Sequence, residues 1–158
     1  MASWITPVFD RTQKDVEFAI QKIAEWIVGN NQLVVDDLKG CLNVSDINRI
    51  EGNIAYLSKR LTDLGYLPNT STKTWSENGM PTEQDITRIT NNVRALILAF
   101  YKPKEAPDIP DNILSYTEVN AIEENLYLIE QLLNNMVNSF RKSGAFQSGS
   151  TMFLPIRR

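Results

Sequence analysis

The stretch Asn43-Val44-Ser45-Asp46-Ile47-Asn48-Arg49-Ile50-Glu51-Gly52-Asn53-Ile54-Ala55-Tyr56-Leu57 decides the fold, because its pattern occurs three times. It returns as Thr82-Glu83-Gln84-Asp85-Ile86-Thr87-Arg88-Ile89-Thr90-Asn91-Asn92-Val93-Arg94-Ala95-Leu96. It returns again as Ser115-Tyr116-Thr117-Glu118-Val119-Asn120-Ala121-Ile122-Glu123-Glu124-Asn125-Leu126-Tyr127-Leu128-Ile129. Each copy opens with a small polar residue and sets an acid three positions later. That is the spacing of a helix N-cap and its N3 residue: the cap oxygen accepts a first-turn amide, and the acid reaches back toward the positive helix end. Thr12 and Asp15 have the same spacing, so four helix starts are predicted.

Behind each start the apolar residues step by three and four. They are Ile47, Ile50, Ile54, Leu57, Leu61 and Leu64; then Ile86, Ile89, Val93, Leu96 and Phe100; then Val119, Ile122, Leu126, Ile129, Leu133, Met136 and Phe140. The first helix has a looser stripe, Val16, Ala19, Ile23 and Trp26. Steps averaging 3.5 residues are the period of helices packed in bundles. The expected fold is therefore all-α, an antiparallel bundle of four main helices with a short extra helix and an extended C-terminal arm. Asn53, Asn92 and Asn125 hold equivalent places. They are read either as amides bonded to neighbouring backbone or as a ligand-binding ring.

The chain of 158 residues fits one domain. Its net charge of −3 comes without a basic stripe, so no nucleic-acid partner is expected. There is no histidine, which excludes histidine-containing metal sites and Ser-His or Cys-His catalysis. Cys41 stands alone, so no disulfide forms within the chain. Asp36 and Asp37 are adjacent, and neighbours on a helix point in different directions, which argues against a paired acid–base role. No cofactor and no enzymatic activity are expected. The N-terminus reads as no signal peptide, and the longest apolar run, 95–101, is too short for a bilayer, so synthesis in the cytoplasm and no membrane partner are expected.

Residues 1–11 form an irregular lead with apolar Trp4, Ile5, Val8 and Phe9 around Pro7. The lead either folds over the bundle or docks on a neighbour. The bundle is expected over 12–142, with helices over about 12–28, 45–64, 83–101 and 116–142 and a short helix or turn over 32–39. Gly52 lies inside the second helix, where a tight helix contact would rationalise it. Trp75, in the long connection 66–81, is read either as a cap on the core or as an aromatic anchor for a partner. Residues 143–158 form the arm. A Gly/Ser tether leads to the apolar Met152-Phe153-Leu154-Pro155-Ile156, which either folds back or joins a partner, for example at an open sheet edge. The candidate partner contacts are Trp4, Phe9, Trp75, Phe153, Leu154 and Ile156.

Two segments carry a resemblance. The lead has Trp4-Ile5-Thr6 and Asp10-Arg11-Thr12-Gln13-x-Asp15-Val16. Beyond it comes Leu38-Lys39-Gly40-x-Leu42-Asn43-x-x-Asp46-x-Asn48-Arg49-Ile50-Glu51-x-Asn53-Ile54-x-Tyr56-Leu57. Together they resemble small tail proteins of phages and prophages of Gram-positive bacteria, over roughly the first third of the chain. The resemblance implies a structural module of the virion tail or baseplate, without catalysis. Other virion proteins and further copies of the chain would then be its partners. The chain departs from that pattern in having no long fibre or hydrolase region after the bundle. The alternative is a cytoplasmic adaptor or regulatory module that binds a host protein.

Overall fold

All four helix starts form as their sequences require. In the computed structural model, which describes residues 3–29, 38–76, 79 and 81–142, the helices are α1 (Gln13–Ile27), α2 (Val44–Asp63), α3 (Glu83–Ala99) and α4 (Tyr116–Lys142), with no strand among the described residues. Each N3 acid accepts the backbone N–H of its cap: Asp15 from Thr12 at 2.7 Å, Asp46 from Asn43 at 3.1 Å, Asp85 from Thr82 at 3.0 Å and Glu118 from Ser115 at 2.7 Å. The Thr12 and Ser115 hydroxyls hold the Asp15 and Glu118 carboxyls below their ordinary range. The Lys73 ammonium, 2.6 Å away, does so more strongly for Asp85, with Thr82 adding to it. At the far end of α2, Gly65 takes φ +90°. Tyr66 N–H then reaches Leu61 O (2.9 Å) and Gly65 N–H reaches Thr62 O (3.0 Å), the paired bonds of a Schellman stop.

The three repeated helices run parallel, not antiparallel as expected. Arg49 near the start of α2 bonds Glu123 near the start of α4. Arg60, later in α2, bonds Glu130 and Asn134, later in α4. Likewise Arg88 bonds Glu51 toward the starts of α3 and α2, while Tyr66 and Phe100, just past their ends, meet edge to face at 5.2 Å. Chain length explains the difference. Short loops force neighbouring helices to alternate in direction. The connections 66–81 and 101–115 are long enough, at about 3.3 Å per residue, to run about 50 Å and return past a helix of about 30 Å.

The repeats consequently stack in register. Ile47, Ile86 and Val119 share one position, Ile50, Ile89 and Ile122 the next, then Ile54, Val93 and Leu126, then Leu57, Leu96 and Ile129; all are buried, and all but Ile86 belong to one cluster. The bundle core is thus built from three stripes. The fourth, on α1, contributes Ala19 as its one buried residue. Helices α2, α3 and α4 each pack on the other two. The predicted short helix over 32–39 and the arm 143–158 fall largely or wholly outside the described residues.

Two glycines separate packing from chance. A Cβ on Gly40 would overlap the Asp15 carbonyl and the Val16 amide, because the chain passes hard against the first turn of α1. Around Gly52 a Cβ meets nothing within 4 Å, so the tight helix contact that would rationalise the glycine is absent. Gly52→Ala should therefore stabilise the protein by about 1 kcal/mol, and Gly40→Ala should destabilise it by about 1–3 kcal/mol. Urea unfolding followed by circular dichroism checks both signs.

Candidate functional site

The most concentrated chemistry lies where the lead crosses the groove between α2 and α4. Arg11, from the lead, has its side chain 2% exposed. Its Nη2 meets Asp46 Oδ1 at 2.8 Å and Glu123 Oε1 at 3.1 Å. Arg49 meets the same two oxygens from the other side, and its Nε adds a bond to Glu123 Oε2 at 3.0 Å. Val8 N–H also donates to Glu123 Oε2, and Arg11 Nη1 donates to Val8 O. Two cations and two anions thus close a neutral, buried ring. Guanidinium and backbone N–H donors meet both oxygens of each carboxylate, with Asn43 N–H on Asp46 Oδ2 at 3.1 Å. Hydrogen bonding to Glu123 and Asp46 raises the Arg49 pKa against the lowering effect of its own burial.

Side-chain amides fasten the rest of the lead. Asn53 holds Ile5 at both ends of its peptide unit: Ile5 N–H donates to Oδ1 at 3.0 Å, and Nδ2 donates to Ile5 O at 2.7 Å. Asn120 does the same to Arg11, at 3.3 and 2.9 Å. A paired amide reproduces the hydrogen bonding of a β-ladder rung, so an extended segment lies against a helix without leaving backbone groups unsatisfied.

The same device holds the second extended segment, in the groove between α2 and α3. Asn92 grips Ser71 at 3.0 and 2.7 Å, and Asn48 grips Trp75 at 2.8 and 3.0 Å. Arg88 to Glu51 repeats the bridge made by Arg49 to Glu123. The third groove, between α3 and α4, departs from the rule. Asn125 Nδ2 donates to Pro107 O at 3.0 Å, but proline has no N–H to return, and Asn125 Oδ1 is buried without a partner. The bridge is missing on both sides at once, with Ala121 and Thr90 in place of Arg and Glu, so no lone charge is buried. Arg94 instead gathers the carbonyls of Ile109 and Pro110 and the carboxylate of Asp111.

The equivalent Asn residues therefore serve three different grooves and form no ligand ring. Of the candidate partner contacts, Trp4 packs against the core and stands 5.6 Å from the Tyr56 ring, and Phe9 lies 5.2 Å from Tyr127. Trp75 is 8% exposed, its indole N–H bonded to Glu51 Oε1 at 3.2 Å. That burial makes Trp75 a cap on its own core and takes it out of the set of surface anchors. Phe153, Leu154 and Ile156 lie outside the described residues, as do Asp36 and Asp37. On α1 and its end, Phe18, Ile20, Ile27 and Val28, which the sequence reading passed over, are 53–86% exposed, and Trp26, expected in the core stripe of the first helix, is 50% exposed.

A cleft of about 380 Å³ between α1 and the start of α4 is lined by Arg11, Val16, Cys41, Leu42 and Tyr116 among others. Burial pushes the Cys41 thiol up, away from the thiolate that nucleophilic chemistry needs. No group of three or more His, Cys, Asp or Glu residues able to hold a metal occurs among the described residues. No helix there is long and apolar enough to cross a membrane. Comparison with family models, with curated proteins and with solved structures finds no match to this chain.

Proposed function

We propose that the protein is a structural component of a phage tail or baseplate, a non-catalytic adaptor that joins neighbouring virion proteins and recurs in several copies. The observation that carries this reading is what the resembling residues do. Arg11, Asp46, Arg49 and Asn53, all within the tail-protein pattern, are the groups that seal the lead onto the bundle. Thr12 and Asp15 cap α1. Each of these residues holds the fold together, which supports reading the pattern as that of a structural module. The exposed apolar residues at the end of α1, Trp26, Ile27 and Val28, offer a place for a neighbour to pack. Phe153, Leu154 and Ile156 are the proposed contacts of the C-terminal arm, with the outer edges of Trp4 and Phe9 as secondary ones.

The test is protein mass spectrometry of particles purified by density gradient from cells that encode the chain. Recovery in constant ratio to the other tail proteins is expected. Absence from intact particles, with the chain found instead in complex with a host protein, would contradict the proposal and favour the adaptor reading.

A further inference from the structure

The lead and α1 (residues 3–27) are attached to the bundle as a separable piece. Their fastenings to α2 and α4 are discrete: the Asn53 and Asn120 grips, the Glu123 bond to Val8, and the seat of Arg11 between Asp46 and Glu123. Each joins residues at least 35 positions apart in sequence. None depends on which copy of the chain supplies the segment. The other two extended segments run directly into the helices that grip them, whereas the lead reaches α2 only through α1 and the connection from Val28 to Leu38. That connection can span about 35 Å when extended. Helix α1 fully buries only Ala19, and in the exchanged pair the close approach of Gly40 to its first turn is made by the other copy. The residues that lead into the connection, Trp26, Ile27 and Val28, are 50%, 72% and 86% exposed.

We propose that residues 3–27 exchange between two copies of this chain, so that Arg11 of each copy completes the acid pair Asp46–Glu123 of the other. Every contact of the lead is kept in the exchanged pair. In the exchanged pair the exposed Trp26, Ile27 and Val28 of each copy lie at the end of the exchanged piece, where those of its neighbour cover them. Exchange of an identical element is a low-cost route to a dimer because the interface already exists within one chain. The occupant of the groove is thus a second copy, and the inference holds whether or not the protein belongs to a virion.

Asp10, on the lead, and Lys39, beyond the connection, form an exposed ion pair at 2.8 Å that reports which copy the lead occupies. Two full-length chains are co-expressed with different affinity tags, one carrying Lys39→Gln and the other Asp10→Asn. Neither can then couple residue 10 to residue 39 within itself. After zero-length carbodiimide coupling, exchange predicts a covalent species of twice the 18.0 kDa chain mass that carries both tags, with the 10–39 link identified by peptide mass spectrometry. The unsubstituted chain, treated in parallel, supplies the reference yield of that link. A 10–39 link in the unsubstituted chain confined to the monomer, with no doubly tagged species from the pair, would overturn the proposal. Both substitutions are at exposed side chains, so folding is preserved.

Discussion

Glu123→Ala is expected to lower the unfolding free energy by about 3–5 kcal/mol, the scale for removing one partner of a buried ion pair. The Glu123 side chain is 1% exposed and is the shared acceptor for Arg11, Arg49 and the Val8 amide. Without it, two guanidinium groups remain buried against the single carboxylate of Asp46, and the middle of the lead loses its anchor. Glu123→Gln keeps the shape and part of the hydrogen bonding but leaves the ring with an excess positive charge, so a smaller loss is expected. Equilibrium urea unfolding of the three proteins orders them wild type, Gln, Ala. A loss under about 1 kcal/mol for the alanine variant, the range of an exposed pair, would mean that the lead is not seated as described.

Leu126→Ala is expected to destabilise by about 2–5 kcal/mol, through lost transfer energy and the cavity left behind. Leu126 shares its level with Ile54 and Val93, and all three are 0% exposed. Neighbours gripped by their own helices have little freedom to collapse into the space. Leu98, one helix away and 89% exposed, is the control: its replacement by alanine should stay within about 0.5 kcal/mol. Chemical denaturation of the two variants side by side separates a layered core from general loss of apolar content.

The helices were legible in the sequence because capping and periodicity are local. Asp46, Asp85 and Glu118 sit three residues past their caps, and the aliphatic steps that follow place every core layer. Direction was not legible. A stripe at period 3.5 packs equally well against a parallel or an antiparallel neighbour, so only the length of the connections bore on it. The equivalent asparagines were visible as a set, but their partners are backbone groups of extended segments, which carry no side-chain signature. Asn48 and Asn120 were missed for the same reason. The buried ring had a partial signal: Arg49 and Arg88 share one repeat position, and Glu51 and Glu123 share another two residues on, flanking a core isoleucine. Charges beside a core position read as solvent-facing until a partner helix is known to bring the opposite charge to the same level. The burial of Trp75 likewise depends on Glu51 lying under it.

The central claim is that the three repeated helices run parallel and in register, and interspin distances test it most directly. In a Cys41→Ser background, nitroxide labels are placed in pairs at Ser45 with Thr117, and at Ser45 with Gln131, all exposed positions. Ser45 and Thr117 lie two residues past their caps, whereas Gln131 lies 14 residues further along α4, about 21 Å at 1.5 Å per residue. The account predicts that the Ser45–Thr117 distance is clearly the shorter, near the separation of adjacent helices with their labels. The reverse order, with Ser45 nearer to Gln131, would show an antiparallel pair and contradict it.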